Sequence, residues 1–127
     1  MKEIVLETAL SAGYTVSQVL SQAESVRTRI YGGYFSEAGL KAQVGIPKGT
    51  WLVLRSDKDN KHDSFAIKVC KQEKKKLVEL GFLKTELASA IESLDKVSCV
   101  VYKEIELEDI VGSAKVVGLE IRLIFNL

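Results

Sequence analysis

From residue 29 onward the apolar residues fall into short β-like runs, at residues 29–35, 50–55, 65–70 and 76–82, separated by segments rich in Gly, Asp, Asn and Lys. Runs of β-branched and aromatic residues bounded by turn formers predict a meandering sheet. The tail adds to it. Val117, Leu119, Ile121, Leu123 and Phe125 alternate with Glu120, Arg122 and Asn126, with Ile124 as the exception, which is the pattern of a strand with one buried face. Just upstream, Glu104, Glu106 and Glu108 alternate with Ile105 and Leu107, so the three carboxylates are expected on one solvated strand face.

Helical spacing is confined to short stretches. After Thr15, a good N-cap, Val16, Val19, Leu20 and Ala23 recur at helical intervals and predict a helix reaching about Val26. Leu83, Leu87, Ile91 and Leu94 predict a second helix over residues 84–94, packed on the sheet or plugging a barrel end. Residues 4–10 read equally as a short helix or an edge strand, with Gly13 as the break. The expected class is therefore mainly β with small helices (α+β).

The chain has 127 residues, 46% of them hydrophobic, and one proline. That suits one globular domain with its own core and excludes a multi-domain helicase, kinase or dehydrogenase. A net charge of +1 gives no overall field to attract nucleic acid, but the average hides a dipolar surface. Residues 55–76 hold eight basic and four acidic side chains, whereas residues 77–127 hold five and nine. No apolar run approaches the ~20 residues needed to span a bilayer, and a cytoplasmic protein without membrane contact is expected. Cys70, Cys99 and the single His62 are too few for a structural zinc site, which needs about four ligands. The cysteines read as reduced core or edge thiols.

Several reaction chemistries fail on spacing. Gly45-Ile46-Pro47-Lys48-Gly49-Thr50 lacks the interval of a phosphate loop and reads as a turn before a strand. Asp57, Asp59 and Asp63 suggest a calcium loop, but His62 stands where the bend needs Gly and Lys68 where the final carboxylate belongs. The sole histidine has no evident partner for nucleophilic catalysis. A metal-dependent nuclease built on the same three aspartates lacks a convincing ligand set. The chain is expected not to be an enzyme, and to need neither metal nor small-molecule cofactor.

One constellation remains. The aliphatic run Leu52-Val53-Leu54 leads through a charged loop to Asn60-Lys61-His62-Asp63, then Ala66-Ile67-Lys68-Val69, then Leu80-Gly81-Phe82-Leu83 and a helix opening Lys84-Thr85-Glu86-Leu87-Ala88. In this order the elements resemble the HIRAN domain, a family found at the N-terminus of certain helicase-like DNA-repair proteins and as stand-alone bacterial proteins. The match covers residues 50–94. Upstream, Ile30-Tyr31-Gly32-Gly33-Tyr34-Phe35 resembles the first strand of the family, a Gly followed by an aromatic pair. The resemblance implies an OB-like β-barrel over residues 27–127, preceded by a helical extension at residues 1–26. It also implies a pocket for the 3′ end of single-stranded DNA.

Carried over by position, Asn60 and Asp63 occupy the N-x-x-D sites, where the acid lies near the terminal 3′-hydroxyl. His62 stands where Tyr is usual, Phe65 where a polar residue is common, Phe82 where His is frequent and Thr85 where a Lys would meet phosphate. An ionised Asp63 accepts a hydrogen bond from a hydroxyl and repels a terminal phosphate. Tyr34, Phe35 and His62 offer stacking faces worth roughly 1 to 3 kcal/mol each, and Arg55, Lys58, Lys61 and Lys84 offer charge to the backbone phosphates. With Phe82 these residues define an expected DNA-binding surface.

The same residues have plainer uses. Asn60 and Asp63 are Asx-turn formers, Tyr34, Phe35 and Phe82 suit a strand core, and Lys74-Lys75-Lys76 suits a solvated hairpin tip. With the replaced His and Lys positions and the acidic C-terminal half, these uses support an alternative, a protein-interaction or regulatory barrel whose DNA pocket has decayed.

Overall fold

The structure, a computed structural model, describes residues 2–31, 41–105 and 118–125. Alternation along the strands sets the packing. In β7 (Glu120–Phe125) Ile121 and Leu123 are fully buried, and in β6 (Val97–Lys103) Cys99 and Val101 are. The pairs Val101–Ile121 and Cys99–Leu123 set these side chains opposite one another, so one face of the ladder is continuous core. β2 (Ser25–Arg29) adds Val26 and Thr28 to that face by pairing with β7, and β3 (Trp51–Ser56) adds Leu52, opposite Cys99.

Beyond β3 come β4 (Ile67–Glu73) and β5 (Lys76–Phe82), a hairpin whose tip turns at Lys74 with φ 50°. On the other side β1 (Glu3–Val5) lies parallel to β2. The full order is β1-β2-β7-β6-β3-β4-β5. Among the described residues no strand ladder joins β5 to β2, but the sheet curls until the continuation of β2 meets β5 at one residue pair. Tyr31, just past β2, donates its N–H to the Phe82 carbonyl at 2.8 Å, and Phe82 donates back at 2.6 Å. The seam is reinforced by Gln43, 1% exposed, whose amide donates to the Leu80 carbonyl at 2.9 Å and accepts from the Leu119 N–H at 2.8 Å.

Among the described residues three short helices, α1 (Leu6–Ser11), α2 (Val16–Gln22) and α3 (Thr85–Ala90), cover the core, and residues 41–43 are helical as well. The stretch at residues 4–10 is thus both of its expected forms in succession, a strand turning into a helix at Leu6, which is wholly buried. α2 opens with a reciprocal capping box between Thr15 and Gln18. It ends at Gln22 rather than near Val26, because Ser25 and Val26 are drawn into the ladder with β7. α3 likewise stops at Ala90, not residue 94. Ile91 is extended, and a 3-10 turn at Leu94–Lys96 leads into β6, so Ile91 and Leu94 pack on the core without sharing one helical stripe.

The strand expected at residues 76–82 matches β5. Those expected at 50–55 and 65–70 are displaced to Trp51–Ser56 and Ile67–Glu73, and the tail strand is shortened to Glu120–Phe125. The run expected at 29–35 begins earlier, as β2, and residues 32–35 lie outside the described residues, as do Glu106 and Glu108. Both cysteines are buried free thiols. Among the described residues no helix is long and apolar enough to cross a membrane.

Candidate functional site

The loop between β3 and β4 is built by its own polar side chains. Asn60 Oδ1 accepts from the backbone N–H groups of His62 at 2.9 Å and Asp63 at 3.0 Å, and its amide donates to Asp57 Oδ2 at 3.2 Å. Asp63 Oδ1 accepts from the Phe65 N–H at 2.9 Å. These are linked Asx turns, which satisfy backbone donors that a tight loop leaves unpaired. The two residues expected to read a ligand therefore also shape the loop. A carboxylate has about four acceptor directions, so this bond does not exhaust Asp63.

The loop faces the seam of the sheet. Asn60, His62, Asp63, Phe82 and Lys84 line one open cavity of about 450 Å³, together with Tyr31, Ala66, Leu83, Thr85 and Glu86. The Leu83 N–H donates to the Ile67 carbonyl at 3.0 Å, tying the end of β5 to the start of β4, and the chain then turns into α3. Five of the nine expected site residues thus converge from two separate stretches of chain, and Tyr31 brings a third. Arg55 is exposed on β3 opposite Lys68, and Lys61 is exposed at the loop tip, and neither lines the cavity. Tyr34 and Phe35 lie outside the described residues. The open space at residues 71–76 is larger, about 790 Å³, but it is lined by one hairpin tip alone and so has no second wall.

Sequence reasoning does not reach Tyr31 as a site residue, although it stands beside the Gly-Gly that precedes the aromatic pair. Its ring lies 4.8 Å beneath the Lys84 ammonium, and its hydroxyl donates to Glu7 at 2.8 Å. Thr28 donates to the same Glu7 oxygen at 2.5 Å. Burial, reinforced by the bond to Glu7, pushes the Tyr31 phenol well above its ordinary pKa. Lys84 also pairs with Glu86 at 3.4 Å. The cavity wall thus carries one ammonium against the carboxylates of Asp63 and Glu86, an environment that favours an uncharged hydrogen-bond donor over a second anion. Glu7 could not be found from sequence, because its partner is 24 residues away. Among the described residues no three His, Cys, Asp or Glu side chains cluster as a metal ion would need.

No protein-family model matches the sequence, and no curated protein does. In three dimensions the chain is similar to the HIRAN domain of human HLTF, with a TM-score of 0.55 and 21% sequence identity over 80% of this chain and 74% of that one. The fold is HIRAN-like: a mainly β, OB-like architecture with a few short helices.

Proposed function

We propose that this domain binds nucleic acid, and that the cavity at the sheet seam receives the free 3′ end of single-stranded or frayed DNA. The observation that carries this reading is the convergence of Asn60, His62, Asp63, Phe82 and Lys84 on one cavity in a HIRAN-like fold. The chemistry agrees with it. Asp63 accepts from a 3′-hydroxyl, the acidic wall disfavours a 3′-phosphate, and His62 and Phe82 offer faces to bases. The domain acts by binding and catalyses no reaction of its own; the setting suggested by the resemblance is DNA repair.

A second reading rests on a specific observation: Asn60 and Asp63 are engaged by their own loop, and Lys84 by Glu86. A cavity with its polar groups so occupied suits a protein partner. Fluorescence anisotropy of short strands ending in 3′-hydroxyl or 3′-phosphate, beside a blunt duplex, separates the two at low and moderate salt. Wild-type protein is expected to prefer the 3′-hydroxyl strand. Asp63→Asn, which keeps an acceptor for the Phe65 N–H but loses the charge, is expected to lose most of the discrimination against phosphate. Absence of binding to every oligonucleotide at low salt rejects the DNA reading and favours the protein partner.

A further inference from the structure

The outer face of the sheet, away from the core, carries a row of side chains that the cavity does not use. Trp51 pairs with Val100, Val100 with Arg122, and Arg122 with Arg27, so these four residues cross β3, β6, β7 and β2 on one face. Directly paired residues in antiparallel strands point the same way, and strands lie about 4.8 Å apart. The row therefore runs about 14 Å from Trp51 to Arg27. Trp51 is 62% exposed, unusual for an indole unless it meets a partner.

Cations gather at the other end. A bulge between Val101 and Lys103 leaves Tyr102 unpaired with β7 and re-aims its side chain. The Arg27 guanidinium lies 4.0 Å from the ring centroid, Arg122 5.1 Å and the Lys48 ammonium 5.7 Å, and Arg27 also donates to the Tyr102 hydroxyl at 3.0 Å. The carboxylate of Glu3 binds Arg122 at 2.5 Å and offsets part of this charge. Three cations against that carboxylate leave the cluster basic.

We propose that this face is a second contact surface for a single nucleic-acid strand, with a base stacked on Trp51 and phosphates held by Lys48, Arg27 and Arg122. A lone flat indole on the same face as fixed guanidinium groups two and three strands away matches a base and the phosphates along its strand, whereas an acidic peptide would want a groove for its side chains. The proposal extends the nucleic-acid reading but uses none of the cavity residues. It requires no free 3′ end.

Trp51 is the only tryptophan, so its emission reports on this face directly. A 5′-labelled oligothymidylate of fifteen nucleotides, ending in 3′-hydroxyl or 3′-phosphate, is titrated at low salt while label anisotropy and Trp51 emission are both recorded. Quenching of Trp51 in step with the anisotropy is expected for both ends. Trp51→Ala is expected to weaken binding roughly tenfold, within the range for one lost base stack. Lys48→Glu is expected to weaken it several-fold and to flatten the salt dependence. Binding with unchanged Trp51 emission and an unaffected Trp51→Ala overturns the proposal while leaving the cavity reading intact. Quenching by polyglutamate but not by the strand overturns it in favour of an acidic protein partner. No anisotropy change at all overturns both this proposal and the nucleic-acid reading.

Discussion

Tyr31 closes the sheet with its backbone, walls the cavity with its ring and satisfies Glu7 with its hydroxyl. Its phenol is held neutral by burial and by that carboxylate, so its contribution to stability is intact below its ordinary pKa of 10.0 and is lost as pH rises beyond it. Cys99 obeys the same sign. Burial pushes its thiol from 9.0 up to about 12, so its contribution fades between those values. Burial also raises Cys70. Urea unfolding of the wild type should therefore show a falling midpoint from about pH 9, with a slope of up to ~1.4 kcal/mol per pH unit from Cys99 alone. Cys99→Ala should flatten the profile from pH 9 upward, and Tyr31→Phe only above pH 10; an unchanged slope in Cys99→Ala would exonerate that thiol. At this scale the sequence disclosed what is local. The N-x-x-D spacing of Asn60 and Asp63 can be read along the chain, whereas Glu7 reaches Tyr31 and Thr28 only through the fold.

Among the elements, β5 is legible to the residue because the lysines at its start and Lys84 beyond its end bracket a largely apolar run. Both helices are shorter than their apolar spacing predicts, for a common physical reason. Ala23, Ile91 and Leu94 fall at helical intervals, but extended backbone brings the same side chains to the core once a neighbouring strand offers hydrogen bonds. Two substitutions separate an element's own stability from its part in the site. Thr15→Ala removes the α2 capping box and should cost ~1 kcal/mol in urea unfolding without altering oligonucleotide binding. Gly118→Ala should do both. Its Cβ would lie 1.9 Å from the Ile30 carbonyl oxygen, so the backbone must move where the Ile30 N–H donates to Leu119. That places the strain one residue from Tyr31. The expected cost is at least the ~1–3 kcal/mol of an overpacked core, with a measurable loss of 3′-end affinity.

Across the whole molecule, the sheet is open in its strand pairing, and among the described residues two small linkages span the gap. One is the Tyr31–Phe82 pair and the other is buried Gln43, whose bonds to Leu80 and Leu119 join β5 to the approach of β7. The barrel expectation captured the curl, but no local pattern could reveal Gln43, since an isolated glutamine in a sequence reads as solvated. Gln43→Met preserves the side-chain volume while orphaning a buried carbonyl and a buried N–H, each costing about 1–3 kcal/mol. The urea midpoint should fall with its m-value unchanged, because the same surface is exposed on unfolding. Hydrogen exchange should quicken at Leu119 first and at Tyr31 and Phe82 next, while the β4–β5 tip is unaffected. A strand end seated in the cavity bears on both sides of the same seam, so saturating oligonucleotide should restore protection at Tyr31 and Phe82. Should Gln43→Met be neutral in stability and exchange, the Tyr31–Phe82 pair alone holds the gap. The cavity then depends on that pair without support from behind.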